Sequence, residues 1–270
     1  MRLVRLFLAF VVLVVFGWSS GASALPVNNS ITSGLVAAYE FSGNADDSSG
    51  SGNDGVANGA TPTVDRFGNA NSAYFFDGLQ STIQLSSHVV GLTEFSYSVW
   101  VNYHSNSPPP GAPDAWRDIV MTGVVRIGFI EDGNIRADVY ADRSGGMTTS
   151  PSTRYMQTLD ASLTRDSWTH LVINGYSDNS IDAYVNGNVV NSSLFVDGGV
   201  TGDAVNSAIG SNAHHVEHEF FGVIDDVYIY DRALSASEVQ TLYPAVPEPS
   251  TALFLGLGLA GMAAARRRVR

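Results

Sequence analysis

Residues able to do chemistry gather in three places along the chain. The first is Asn44-Ala45-Asp46-Asp47-Ser48-Ser49-Gly50-Ser51-Gly52-Asn53-Asp54-Gly55, which sets three carboxylates and two amides among three glycines. Calcium takes roughly six to eight hard oxygens, and such a loop offers carboxylate, amide and freely turning backbone oxygens. The spacing lacks the closing acid of an EF-hand loop, so a remote acid from Asp225-Asp226 is the expected completion of a shell made by Asn44, Asp46, Asp47, Asn53 and Asp225. The same residues also read as an acidic turn, since Asp and Asn bond their own backbone. The second place is His214-His215-Val216-Glu217-His218-Glu219. Its imidazoles and carboxylates suit zinc or copper. Yet it lacks the His-Glu-x-x-His order, and in an extended chain His214 and His218 stand too far apart to clamp one ion; it reads as a polar loop or sheet edge. The third is Trp116 with Asp114 and Arg117, at the end of a loop that carries Pro108-Pro109-Pro110. An exposed indole stacks on a sugar ring while Asp and Arg bind hydroxyls; the same indole equally anchors its loop to a core. Tyr155, in the second long loop, is a further candidate of the same kind.

Catalytic patterns are missing. Retaining glucanases that use Glu-x-Asp-x-x-Glu on a strand hold their two carboxyls a few ångströms apart. The glutamates here are 40, 94, 131, 217, 219, 238 and 248, and none has an aspartate two residues later. Between residues 25 and 245 there is no Gly-x-Ser-x-Gly (Gly17-Trp18-Ser19-Ser20-Gly21 lies in the N-terminal segment), the chain has no phosphate-cradling Gly-Lys loop, and zero cysteines exclude thiol nucleophiles, disulfides and Cys-zinc sites. The expectation is a non-catalytic protein.

Charge narrows the partners. The 270 residues carry 14 Lys+Arg and 26 Asp+Glu, for a net charge of −12. All the basic residues are arginines, and six of them (Arg2, Arg5, Arg266, Arg267, Arg268, Arg270) lie at the ends. The body is therefore strongly acidic, which argues against nucleic acid as a partner. Residues 1–24 have a basic start, an apolar run and Ala22-Ser23-Ala24, the pattern of a secretory signal peptide. At the other end, Val246-Pro247-Glu248-Pro249-Ser250 precedes the apolar stretch 251–265 and the closing Arg-Arg-Arg-Val-Arg. That stretch is short for a membrane-spanning helix, though its ends could lengthen it, and the arginines would hold it on the cytoplasmic side as a simple C-terminal anchor. The order Pro-Glu-Pro, greasy segment, Arg cluster closely resembles the PEP-CTERM sorting signal, over residues 246–270. The resemblance implies a Gram-negative bacterium, passage through the inner membrane, processing by an exosortase and delivery to the cell surface or extracellular matrix.

What positions the candidates is a body of short β-rich runs. Strands are expected over 35–41, 73–76, 82–85, 95–103, 119–122, 124–130, 135–140, 168–174, 180–185, 188–190 and 222–230. In 95–101 aromatic and aliphatic residues alternate with serines. Asp132-Gly133 and Asn186-Gly187 are hairpin signals. Ser235-Ala236-Ser237-Glu238 is a capping box before a short helix whose apolar face is Val239, Leu242 and Tyr243, stopped by Pro244.

Four segments together carry a second resemblance: Gly34-Leu35-Val36-Ala37-Ala38-Tyr39-Glu40-Phe41, the loop from Gly43 to Gly55, Asp65-Arg66-Phe67-Gly68-Asn69-Ala70 running into Tyr74-Phe75-Phe76-Asp77-Gly78, and Gly222-Val223-Ile224-Asp225-Asp226-Val227-Tyr228-Ile229-Tyr230-Asp231-Arg232-Ala233-Leu234-Ser235. They are similar to the laminin G-like branch of the concanavalin A-like lectin/glucanase jelly rolls. The resemblance implies an all-β, antiparallel two-sheet sandwich over 25–245 with one short C-terminal helix. It matches Asp47 and Asn53 to the family's early loop and Asp225 to its late strand, as holders of a structural calcium. The functional expectation is an exported surface or matrix protein that binds carbohydrate such as exopolysaccharide. A structural or adhesion module without sugar affinity is the alternative, and a glycan-active hydrolase or lyase a third.

Overall fold

The computed structural model describes residues 31–86, 94–105, 116–122, 125–130, 134–140, 154–178, 180–195, 207–211 and 219–243. Fifteen strands and one helix run in the order β1 Leu35–Tyr39, β2 Val56–Asn58, β3 Thr61–Thr63, β4 Ala73–Asp77, β5 Thr82–Gln84, β6 Phe95–Tyr103, β7 Trp116–Met121, β8 Val125–Ile130, β9 Asn134–Tyr140, β10 Arg154–Ser162, β11 Trp168–Gly175, β12 Ser180–Val185, β13 Asn188–Phe195, β14 Ala208–Ile209, β15 Phe221–Tyr230 and α1 Ala236–Leu242. They build two antiparallel sheets, ordered β13-β12-β11-β6-β15-β4-β3, with β1 also on β15, and β10-β9-β8-β7-β14-β5-β2. The all-β sandwich expected from the sequence is the fold observed.

Alternation sorts the side chains. Tyr97, Val99, Val101 and Tyr103 of β6 point between the sheets with Leu171 and Ile173 of β11, Tyr39 of β1 and Ile127 and Phe129 of β8. The sheets are clasped by aromatic contacts: Tyr103 meets Phe129 at 4.4 Å, and Phe220, just ahead of β15, meets Phe129 at 6.1 Å and Phe76 at 6.2 Å, all edge-on, the geometry ring quadrupoles favour. Gly210 is glycine for two reasons: its φ is +80°, and a Cβ there would stand 2.1 Å from the Phe76 ring. The Asn186-Gly187 turn has φ of 51° and 74°, the mirror-image turn that matches strand twist.

The serines of β6 do not face water. Ser96 and Ser98 are buried on the outer side of their sheet, because the chain after β15 folds back over it. Ser96 Oγ accepts from Leu234 N at 2.8 Å, and Asn174 Nδ2 donates to Leu234 O at 2.7 Å. That anchors the entry to α1, whose Val239 and Leu242 join Ala38, Val172, Tyr228 and Tyr230 in a second apolar cluster. The capping box forms as read: Glu238 N donates to Ser235 Oγ, and Glu238 Oε2 accepts from Ser235 N at 2.8 Å. Arg232 binds the same carboxylate, which is pushed down to about 2. Beyond the helix, Tyr243 stacks on Trp100 at 5.5 Å and on His170 at 6.0 Å.

Four strands escape the sequence pattern. β2 and β3 are three-residue edge strands, and Pro62 in β3 is tolerated because an edge needs no donor on its free side. β14 has two residues, too few for a period. β10 begins at Arg154, so Tyr155 is a strand residue opposite Val139 and not a loop tip.

His170 gives the fold a pH signature. Burial, then the charge of Arg66, pushes its imidazole down to about 3, against an unfolded value of about 6.5. The unfolded chain therefore binds a proton that the folded one refuses, and stability is lost as pH falls through 6.5 toward 3. Replacing His170→Phe, which preserves the stack, should flatten the wild-type loss of Tm between pH 7 and 5 by close to one proton's worth, about 1.4 kcal/mol per pH unit below 6. Parallel Tm–pH curves for the two proteins would contradict this.

Candidate functional site

The loop after β1 is closed by a carboxylate acting as acceptor. Asp47 Oδ1 accepts from Ala38 N and Ser49 N, and Oδ2 from Ser49 Oγ and Asn53 N, each at 2.9 Å. Burial works to raise the acid, but these donors outweigh it and hold it below the usual aspartate value. Asn53 is itself buried; its Nδ2 donates to Val36 O at 2.9 Å and its carbonyl accepts from the Tyr39 hydroxyl at 2.7 Å. Asp54 Oδ1 accepts from Asp47 N. Asn44 and Asp46 bond each other on the exposed flank.

Of the five residues expected to share a calcium ion, Asn44 bonds Asp46, Asn53 bonds Asp47, and Asp225 bonds Arg66. Asp47 and Asn53 meet, but through a backbone N–H on a carboxylate oxygen that a metal would need. Asp225 is engaged elsewhere, by Arg66. Among the described residues no cluster of three or more His, Cys, Asp or Glu is arranged to hold a metal. The loop's cohesion comes from N–H and O–H groups.

Asp225 and Asp226 belong to a different construction. Along β6, Asp225 lies opposite Trp100 and Tyr228 opposite Ser98, so one extra residue is accommodated between them. Asp226 takes a φ of +43°. At this bulge the other neighbour of β15 changes from β4, paired to residues 221–224, to β1, paired to 227–230. Both carboxylates are buried, and Arg66 reaches them from the loop before β4: Nη1 to Asp225 at 2.5 Å and Nη2 to Asp226 at 2.6 Å. Its guanidinium lies 4.7 Å over Trp100 and 4.4 Å over Phe67. Burial raises Asp225 well above the ordinary carboxylate range; the Asp226 charge adds to that and Arg66 opposes it.

The sugar candidates fall on and around β7. Asp114 lies outside the described residues, as do His214, His215, Glu217 and His218, and Trp116 is described by its backbone alone, opposite Ile130. Arg117 is 2% exposed. It pairs in register with Phe129, a core residue, and opposed residues leave a sheet on the same side. The sequence placed Arg117 on a rim beside Trp116; the structure buries it. Its charge acts on Glu219, which burial raises and Arg117 draws back. Next along β7, Asp118 is fully buried and takes both Nε and Nη2 of Arg126.

The matched motifs of this architecture decide its kinship. A model of the concanavalin A-like lectin/glucanases superfamily matches residues 76–240. The chain belongs to that superfamily. A PEP-CTERM protein-sorting motif matches residues 245–268, and it implies export, surface association and exosortase processing. Among curated proteins none matches. Domain 4 of AbnA, an extracellular arabinanase from Geobacillus stearothermophilus solved with arabinotriose, superposes with a TM-score of 0.59 at 24% identity over 78% of this chain and 98% of that one. The binding domain of botulinum neurotoxin serotype D gives 0.60 at 15%, over 80% of this chain and 52% of the toxin chain. A Trypanosoma rangeli sialidase in complex with the inhibitor DANA gives 0.54 at 14%, over 77% and 32%. The superfamily module thus spans about half of the toxin chain and a third of the sialidase. These likenesses show the fold. Among the described residues no helix is long and apolar enough to cross a membrane; the segments 6–17 and 251–265 lie outside them.

Sequence reasoning missed that Arg66 serves Asp225 and Asp226. The available signal was that Asp65-Arg66-Phe67 and Asp225-Asp226 are both motif segments, one holding an arginine and the other two adjacent acids. Arg66→Met leaves two uncompensated buried carboxylates and should cost about 3–5 kcal/mol, read by urea unfolding. A loss below 1 kcal/mol would show the triad to be incidental.

Proposed function

We propose that this protein is an exported, non-catalytic carbohydrate-binding module of a bacterial cell surface or extracellular matrix. The observation that carries the reading is a junction: the superfamily match runs to residue 240, and the sorting motif begins at residue 245. A module joined so directly to a delivery signal is itself the cargo. Support for sugar as the ligand comes from domain 4 of the arabinanase, whose structure holds arabinotriose and which matches across nearly its whole length. Support for a binding role comes from the carboxylates. Asp47, Asp118, Asp225 and Asp226 are committed to backbone donors or to arginines, and a general acid or nucleophile needs an oxygen free for substrate. The acid surplus favours an uncharged glycan over a polyanion.

The full-length protein, applied to immobilised polysaccharides and a glycan array, should be retained by at least one neutral glycan without releasing reducing ends. EDTA should leave retention unchanged, because the loop from Asn44 to Gly55 is closed by N–H and O–H donors. Silence on every glycan would favour an adhesion module; released oligosaccharide would establish an enzyme.

A further inference from the structure

The outer face of the eight-stranded sheet is covered unevenly. Register aligns its outward residues in rows across the strands. Tyr184, Val172, Ser98, Tyr228 and Ala38 form one row, and most of it lies in the cluster that α1 closes. The next, His170, Trp100 and Asp225, is roofed by Arg66 and Tyr243. A third row reads Trp168, Asn102, Val223, Phe75 and Thr61. None of its members takes part in the contacts described so far.

This row has the composition of a ligand surface. Trp168, Asn102 and Phe75 are half-buried and Thr61 is exposed. Phe221 and His104 extend the aromatic surface beside it: Phe75–Phe221 at 5.8 Å, His104–Phe221 at 5.6 Å and Phe75–His104 at 5.7 Å between ring centres. Asn102 Oδ1 is buried yet accepts no hydrogen bond from any described group. A buried carbonyl without a donor is an unmet demand that native structures rarely leave open. Four interstrand steps of about 4.8 Å give the row a length of about 19 Å, enough for several linked sugar rings.

The occupant follows from the chemistry. Aromatic faces suit the C–H faces of a pyranose, and an orphan carbonyl suits its hydroxyl. A polyanion is disfavoured, since no lysine or arginine stands in the row and the chain as a whole is at −12. An apolar patch of a second copy would seal the Asn102 carbonyl without supplying a donor. We infer that the row from Trp168 to Thr61 is a platform for an uncharged polysaccharide lying across the strands, with Trp168 and Phe75 under its rings and the Asn102 amide turning outward to accept a hydroxyl. This rests on the glycan-binding reading and gives it a place on the outer sheet face.

The test uses the full-length chain, with cellulose, xylan and dextran as neutral probes and alginate as a polyanion. A neutral polysaccharide should retain the wild type, Trp168→Ala and Phe75→Ala should each weaken retention about tenfold or more, and Trp116→Ala should leave it unchanged. Trp168→Phe keeps a ring in place, so it should bind within a few-fold of wild type while losing the sugar-induced change in tryptophan fluorescence. That readout decides the matter even if the alanine variant does not fold. Wild-type retention that is untouched by Trp168→Ala and Phe75→Ala, or lost with Trp116→Ala alone, overturns the platform and leaves the glycan-binding reading standing. Preference for alginate overturns the uncharged ligand. Retention by none of the probes and by no glycan on the array removes both readings.

Discussion

The sandwich depends on how one strand changes partners halfway along its length. β15 pairs with β6 on one side throughout, and on the other with β4 and then with β1. The change needs an extra residue, and the extra residue puts two adjacent aspartates inside the protein. Two like charges buried side by side would cost several kcal/mol each without compensation. Arg66 supplies it with one nitrogen per carboxylate, and its guanidinium is sandwiched against Trp100 and Phe67. An arginine suits the task because its planar fork bonds two oxygens at once and stacks on rings, which a lysine ammonium does not do. The loop that carries Arg66 is thereby fixed to the sheet, and so is the entry to β4. The bulge, the partner switch and the loop stand or fall as a unit.

Three parts of the chain met the sheet differently, and that difference explains what could be read from sequence. Long strands with a period of two, such as β6 and β15, were legible because their inward residues answer to one dominant force, burial. The helix was legible because its cap is local: Ser235 and Glu238 are three residues apart and satisfy one another. The tail was legible because sorting motifs are linear. The serines of β6 show where this stops. Alternation announced which residues share a face, but not that α1 and Leu234 would cover the second face too, since that depends on contacts about 140 residues apart. The three-residue edges β2 and β3 carry no period at all.

The acidic loop shows the same limit. Clustered carboxylates raise the question of what neutralises them, and a cation is the answer composition suggests. Here Asp47 is answered by backbone N–H groups of Ala38, Ser49 and Asn53. Every residue except proline carries such a donor, so no residue type betrays it. Arg117 shows it in the opposite sense. A charged residue beside a tryptophan and an aspartate looks like a surface cluster, yet its register opposite Phe129 turns it inward. In both cases polar residue types were visible and their partners were not.

Dimensions explain why the described elements roof only part of the outer face. A helix of seven residues is about 10 Å long, whereas the ten residues of β15 extend about 34 Å. One such helix can shelter about two rows of outward side chains, and α1 covers rows rich in Tyr, Val and Ala. The Arg66 loop and Tyr243 roof one row more, and there the residues become Trp, His and Asp, groups that pair, stack and bond under cover. Past that roof the row holds Trp, Asn, Phe and Thr, side chains with an apolar body that tolerate water at one edge. The composition therefore changes in step with the cover. A face that merely awaited solvent would have no need of large rings at Trp168 and Phe75, and a face meant for the core would not seat Asn102 between them with its carbonyl unanswered.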